Sequence, residues 1–232
     1  MSDSCIILAG GKGTRLSNLL GELPKCLAPV GNSTFLELQM RQLSLSGISS
    51  FILSLGYQAE KIIEHIKTLN AEYDVTYVVE GEPLNTGGAI KHVFESLCLK
   101  ESLVVNGDTI VSGDLSPMMM PVKKNVNCSI GLCNVSNRAR FGGVQINQDS
   151  YVVSFDEKTN HTAGLINAGF YRLNIEALQF NERKNFSFEI DLLPLLVQQK
   201  SVTGKVLEGK FIDIGVPEDY ELFCNNQEDY VK

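Results

Sequence analysis

Two rhythms of apolar residues alternate along the first hundred positions. Short unbroken runs, Cys5–Ala9, Ser50–Leu55, Val75–Val79 and Leu103–Val105, read as strands. Between them apolar positions recur at helical spacing. Phe35, Leu36, Leu38 and Leu43 fall within about 34–46, followed by Ile62, Ile63, Ile66 and Leu69, and then by Ile90, Val93, Phe94 and Leu97. Parallel strands need a crossover between them, so this alternation implies βαβ units and a largely parallel sheet. The rhythm changes after about Gly113. Cys128–Val135, Gly143–Ile146, Tyr151–Phe155 and Leu165–Arg172 are strand-like with short connections, which predicts antiparallel pairing. Helical spacing returns near Ser187–Gln199, and Phe211–Ile214 is a last strand. Pro217, with Glu218 and Asp219 behind it, suits a helix start, because carboxylates favour the positive end of the helix dipole.

The pattern predicts an α/β fold: a Rossmann-like, mixed, mostly parallel sheet flanked by helices, with a smaller strand-rich lobe against it. A single domain over 1–232 is expected, in two halves of about 1–113 and about 114–232. Ligands of such sheets bind beyond the carboxyl ends of the strands, so the loops after the first, third and fourth strands are where chemistry is expected.

Composition narrows the partners. With 232 residues, 44% of them hydrophobic and 20% charged, the chain can bury a sizeable core. A formal net charge of −7 argues against an extended nucleic-acid surface, so an anionic ligand would need a local cluster of cations. The longest apolar runs are too short to cross a bilayer, and Met1–Ser4 lacks the start of a signal peptide. The expected location is the cytoplasm. Six cysteines include no Cys-x-x-Cys, and there are three histidines, which makes a zinc site unexpected. Cys5, Cys128 and Cys133 are expected as buried free thiols. His65, His92 and His161 receive no chemical role.

The first loop, Leu8-Ala9-Gly10-Gly11-Lys12-Gly13-Thr14-Arg15-Leu16, has the composition of a phosphate cradle. Its glycines let backbone N–H groups approach oxygens closely, and Arg15 can fork onto a phosphate. It is neither a P-loop nor a dinucleotide fingerprint. Ten residues on, Lys25 stands among prolines and apolar residues in Leu23–Val30, where lysine is unusual, and its ammonium could meet a phosphate. Asp108 follows Asn106-Gly107 at a strand end, where it is either a turn residue or a ligand. Asp213 sits inside the apolar Phe211–Gly215, and a carboxylate there needs a cation or several hydrogen bonds. Two carboxylates at different strand ends suit magnesium, a hard ion that prefers oxygen.

Gly11-x-Gly-Thr-Arg-Leu followed by Pro24-Lys25 resembles the signature of the sugar-phosphate nucleotidylyltransferases. The likeness continues through Glu82–Ala89, Asn106-Gly107-Asp108, Phe155–Lys158, Ile166–Gly169 and Phe211–Gly215, and so spans nearly the whole chain. It implies the nucleotide-diphospho-sugar transferase fold and transfer of a nucleotidyl group from a nucleoside triphosphate to a sugar 1-phosphate, with Mg2+ as cofactor. It implies that Leu8, Ala9, Gly10, Gly11, Gly13 and Thr14 wrap the nucleotide, with Glu80, Thr86 and Gly87 near its base and ribose. Arg15 and Lys25 would hold phosphates, and Asp108 and Asp213 the metal. Gly142, Glu157, Lys158, Asn167 and Glu189 would form the sugar-phosphate site. The first half would thus bind the nucleotide, and the second the sugar phosphate and one metal ligand. Cys26 departs from the family, which usually has a second proline there, and this bears on how the lysine is placed.

Phe186–Glu189 and Phe211–Tyr220 resemble the branch of the family acting on heptoses. GTP and D-glycero-D-manno-heptose 1-phosphate are therefore the expected substrates. A carboxylate at Glu80 could accept from both N1–H and N2–H₂ of guanine, whereas uracil offers only N3–H. The alternatives are a UTP- or CTP-dependent enzyme acting on another sugar, such as N-acetylmuramate 1-phosphate, and a non-catalytic nucleotide-sugar sensor of the same fold. Oligomeric state is left open, with a homodimer as one option.

Overall fold

The computed structural model describes residues 4–69, 73–156 and 162–231. Strand β1 (Ser4–Leu8) leads through the glycine loop to a short helix, α1 (Ser17–Leu20). A small hairpin, β2 (Pro29–Val30) and β3 (Ser33–Thr34), precedes α2 (Phe35–Leu45). The start of α2 is fixed by a capping box, in which the Thr34 side chain accepts from the Glu37 N–H while the Glu37 carboxylate accepts from the Thr34 N–H. Next come β4 (Ser50–Leu55), α3 (Ala59–Thr68), β5 (Asp74–Val79), α4 (Asn85–Ser96) and β6 (Glu101–Asn106). Then follow β7 (Thr109–Val111), α5 (Ser116–Met119), β8 (Cys128–Val135), β9 (Val144–Ile146), β10 (Val152–Phe155) and β11 (Gly164–Asn174). Last are α6 (Ile175–Leu178), one π turn at Phe188–Leu192, α7 (Leu193–Gln198), β12 (Val202–Val206), β13 (Phe211–Asp213) and α8 (Pro217–Asn225).

The main sheet has seven strands in the order β12-β8-β11-β6-β1-β4-β5. β5, β4, β1 and β6 are parallel neighbours. β11 is antiparallel to both β6 and β8, and β12 is parallel to β8, so β11 alone is reversed. The strands of the second half are therefore divided. Three of them extend the main sheet, while β9 and β10 pair with each other outside it and β13 pairs with β7 at the end of the first half.

Both faces of the sheet are covered, which is why the first-half strands read as unbroken apolar runs. Cys5, Ile7, Phe51, Leu53, Leu103 and Val105 point to the face packed by Leu36, Met40 and Leu43 of α2 and Ile62 of α3. Ile6, Ile52 and Val104 point to the face packed by Ile90, Val93 and Phe94 of α4 and by Phe186, Phe188 and Leu192. A third cluster, with Leu16, Phe35, Ile110, Ile212, Ile214 and Phe223, lies beneath the β7–β13 pair and α8. All six cysteines are free. Among the described residues no helix is long and apolar enough to cross a membrane.

A polar side chain is buried beneath the turn between β6 and β7. Gln39 of α2 is 1% exposed, and its amide nitrogen donates to the carbonyls of Asn106 (2.8 Å) and Thr109 (2.7 Å), on either side of Gly107-Asp108. Gln39→Leu keeps the volume and removes the donor from both carbonyls. A buried group left without its partner costs about 1–3 kcal/mol. Urea denaturation should therefore show a loss in that range, and an unchanged midpoint would contradict this role.

Candidate active site

β1 and β6 are paired, but the chain leaves β1 toward β4 on one side and reaches β6 on the other, so the strand order reverses between them. A sheet of this kind opens a crevice at that reversal. A cleft of about 720 Å³ lies there, beyond the carboxyl ends of β1, β4, β5 and β6. It is lined by Leu8, Ala9, Gly10, Gly11, Gly13, Thr14, Arg15, Lys25, Glu80, Thr86 and Asp108, eleven of the residues singled out from the sequence.

The glycine loop is pinned at both ends. At Gly13 the backbone is left-handed (φ 60°), and a Cβ there would lie 2.9 Å from the Lys25 Cβ, so glycine allows the loop to close onto the lysine stem. Lys25 opens a tight turn in which the Leu27 N–H donates to the Pro24 carbonyl (2.9 Å) and the Ala28 N–H to that of Lys25 (3.0 Å). Cys26 therefore does not loosen the lysine. Its side chain is buried, and burial pushes its thiol up to about 12, out of reach of reactivity near neutral pH.

The Lys25 ammonium lies 2.6 Å from Asp108 Oδ2 and 3.9 Å from Asp213 Oδ1. These carboxylates are 105 positions apart in the chain. The β7–β13 pair joins them by setting Asp213 opposite Thr109, and the Ile214 N–H donates to the Asp108 carbonyl (3.0 Å). Burial and the facing Asp108 push the Asp213 carboxyl above its ordinary value, while Lys25, the Gly215 N–H and Arg140 pull it back. Asp213 lines a smaller recess of about 240 Å³ beside Arg140, Phe141 and Asp219, while the neighbouring Gly215 lines the main cleft.

At the other end of the cleft, Glu80 directly follows β5. A Cβ on Gly56 would lie 2.1 Å from Glu80 Oε1, so the carboxylate rests on bare backbone after β4. Its other oxygen accepts from the Leu84 N–H (3.1 Å). Burial pushes this carboxyl above its ordinary 4.5, against the Leu84 hydrogen bond and the charge of His92. One Glu80 oxygen is thus already engaged by the protein, a feature invisible in the sequence.

Other expected site residues are placed differently. Gly87 does not line the cleft. Its N–H and that of Gly88 donate to the Phe186 carbonyl (2.9 and 3.2 Å), which occupies the free donors at the start of α4. Asn167 and Glu189 are joined in a hydrogen-bond chain. Asn167 Nδ2 donates to the Tyr171 hydroxyl (3.0 Å), which donates to Glu189 Oε1 (3.1 Å), and Thr86 Oγ1 donates to Glu189 Oε2 (2.7 Å). Burial and the Glu189 charge push the Tyr171 phenol well above its ordinary value, so it remains a donor. This chain links the β11 side of the molecule to the start of α4. Gly142 has φ 74° and closes a turn onto the Arg138 carbonyl. Glu157 and Lys158, like His161, lie outside the described residues.

The loop after β4, with Gly56 and Tyr57, also lines the cleft and was passed over in the sequence. The signal available was its place at a strand's carboxyl end. Tyr171 and Gln39 carried no motif, and only a buried polar partner reveals them.

A glycine loop, a lysine and two convergent carboxylates at the switch point of a mixed α/β sheet define a site for nucleoside phosphates. The family model described as "Nucleotidyl transferase" matches residues 4–229, and the chain belongs to that family of nucleotidyltransferases. It is 36% identical to a D-glycero-alpha-D-manno-heptose 1-phosphate guanylyltransferase of Aneurinibacillus thermoaerophilus, covering 97% of this chain and 99% of the relative. It is likewise 36% identical to the protein of that description from Campylobacter jejuni, covering 95% and 98%. The solved structure of HddC from Yersinia pseudotuberculosis superposes with a TM-score of 0.84 at 34% identity, covering 97% of this chain and 99% of that one. The same protein has also been solved in complex with GMP-PN.

The raised Glu80 carboxyl has a consequence for stability. Its folded pKa lies above the unfolded one, so the stability it contributes is present below about 4.5 and is lost as pH rises through the folded value. Glu80→Gln has no charge to penalise and can still accept from Leu84. Its melting temperature relative to wild type should climb across that window and level off toward neutral pH. A difference that stays flat or falls with pH would contradict the burial argument.

Proposed function

We propose that this nucleotidyltransferase moves the guanylyl group of GTP onto D-glycero-α-D-manno-heptose 1-phosphate, releasing pyrophosphate and GDP-heptose. The observation that carries the choice of substrates is the end-to-end likeness to two guanylyltransferases of that description, each matched over nearly its whole length. GMP-PN in HddC supports a guanine nucleotide in the cleft. A cytoplasmic location and the absence of a nucleic-acid partner belong to the same reading.

The chemistry needs alignment and charge neutralisation more than proton transfer. An ionised oxygen of the sugar phosphate attacks the α-phosphorus. A phosphorus–oxygen bond forms there, and the bond to the bridging oxygen breaks, its electron pair leaving with pyrophosphate. Arg15 and Lys25 meet the charge on the attacked and departing phosphates. Lys158 and Glu157 complete the sugar-phosphate end of the proposal on sequence grounds.

Magnesium fits the donors available. Asp108 and Asp213 already share one cation, the Lys25 ammonium, and both are oxygen ligands. Magnesium prefers oxygen donors and keeps several waters, so two carboxylates and phosphate oxygens would suffice to hold it. The chemistry such an ion would supply is positive charge beside the phosphates. Asp108 and Asp213 would hold it, and Lys25, 2.6 Å from Asp108, would stand beside it as a second positive charge for the phosphates.

The test is pyrophosphate release from GTP, UTP and CTP with heptose, mannose and N-acetylmuramate 1-phosphates. The expected result is the highest kcat/KM for GTP with the heptose, with GTP over UTP by roughly tenfold to a hundredfold, the size of one extra charged hydrogen bond to guanine. A preference for UTP or CTP would overturn the substrate assignment and leave the reaction class standing. Asp108→Asn or Asp213→Asn should lower turnover at least about a hundredfold while the protein stays folded. Full turnover of both at saturating magnesium would overturn the metal assignment.

A further inference from the structure

The Asn106-Gly107-Asp108 turn carries a side chain that no step above uses. Along β6, Leu103 and Val105 face α2 and Val104 faces α4, so Asn106 at the strand's end falls on the α4 face, beside its β1 partner Leu8. It lines the cleft. Among the described residues its Oδ1 is shielded from solvent and has no hydrogen-bond partner. A buried amide acceptor left unpaired is unfavourable, and native folds keep few of them.

The neighbouring strand is shaped to admit this side chain. Gly169 stands in the bulge of β11 with φ 75°, and a Cβ there would lie 2.8 Å from Asn106 Nδ2 and 3.0 Å from its Cγ. The Gly169 N–H donates to Asn167 Oδ1 (3.0 Å), so Asn106 stands beside the Asn167–Tyr171–Glu189 chain. In the sheet order β11-β6-β1-β4-β5, the glycine loop leaves β1 and Glu80 follows β5. Asn106 is therefore on the far side of the glycine loop from Glu80, toward the second half. An amide donates and accepts without charge, which matches a hydroxyl, whereas an ionised phosphate oxygen only accepts.

We infer that Asn106 is a binding residue for a hydroxyl of the acceptor sugar, its amide turning about the Cβ–Cγ bond to meet that group. The inference rests on the proposed transfer to a sugar 1-phosphate and adds to it a residue that reads the sugar itself, not its phosphate. The nucleotide and the phosphates remain with the glycine loop, Arg15 and Lys25.

The experiment is steady-state kinetics and thermal melting of wild type, Asn106→Leu and Asn106→Ala, using the triphosphate and sugar 1-phosphate that wild type turns over best. Both variants should raise KM for the sugar 1-phosphate about tenfold, the size of one buried hydrogen bond left unmade, with KM for the triphosphate within about twofold of wild type. Asn106→Leu keeps the volume and removes an unpaired acceptor, so it should melt at or above wild type. An unchanged sugar KM in both variants would overturn the inference, as would equal rises for the two substrates. Melting of Asn106→Leu below wild type would overturn it as well, because the partner of the amide would then lie within the protein. Wild type sets the substrate pair, so a preference for UTP or another sugar 1-phosphate refutes the guanylyl–heptose assignment and leaves the test of Asn106 intact.

Discussion

One ammonium shared by two carboxylates organises the active end of this molecule. Asp108 and Asp213 come from strands far apart in the chain, and two like charges at that range repel. Lys25 lies between them and offsets the repulsion. The lysine is itself fixed by its turn and by the glycine loop, which closes onto its stem because Gly13 has no side chain. From below, Gln39 holds the turn that carries Asp108. The glycine loop, the β6–β7 turn and the β7–β13 pair thus meet at a single cation.

The remainder of the site is tied to this centre through the two faces of the sheet. Glu80, at the opposite end of the cleft, rests on backbone after β4 and accepts from the start of α4. The Asn167–Tyr171–Glu189–Thr86 chain connects β11 to that same helix start. Tyr171 is fully buried, and removing its hydroxyl would leave Glu189 and Asn167 short of a partner in a poorly solvated place. Residues expected to touch the two substrates are therefore mechanically linked. Glu189 stands in this structure as a clamp between the two halves, with both of its oxygens engaged.

Much of the architecture was legible in the sequence, because buried parallel strands and amphipathic helices leave strong periodic signals. Cys5–Ala9, Ser50–Leu55 and the face formed by Ile90, Val93 and Phe94 are examples. Pro217 with its two acidic followers marked the start of α8. Sheet order was not legible, since it depends on long-range pairing. The antiparallel strands after Gly113 gave no sign that β8 and β11 would extend the first-half sheet through β6. In the site, glycine loops and a lysine between prolines announced themselves by composition. The meeting of Asp108 with Asp213 was only implied, because it arises from the pairing of two three-residue strands. Gly87 shows the opposite case. Its Thr-Gly-Gly setting suggests a ligand contact, and the structure adds a role no motif announces, an N–H that meets the Phe186 carbonyl.

The central claim, that Lys25 holds two mutually repelling carboxylates together, is tested most directly by denaturation in metal-free buffer. Lys25→Met and the double variant Lys25→Met/Asp213→Asn are compared with wild type. Lys25→Met is expected to lower the midpoint, and adding Asp213→Asn to recover most of the loss by removing one of the two facing charges. If the second substitution instead deepens the loss, the carboxylates are not in conflict, and the lysine is not what keeps them together.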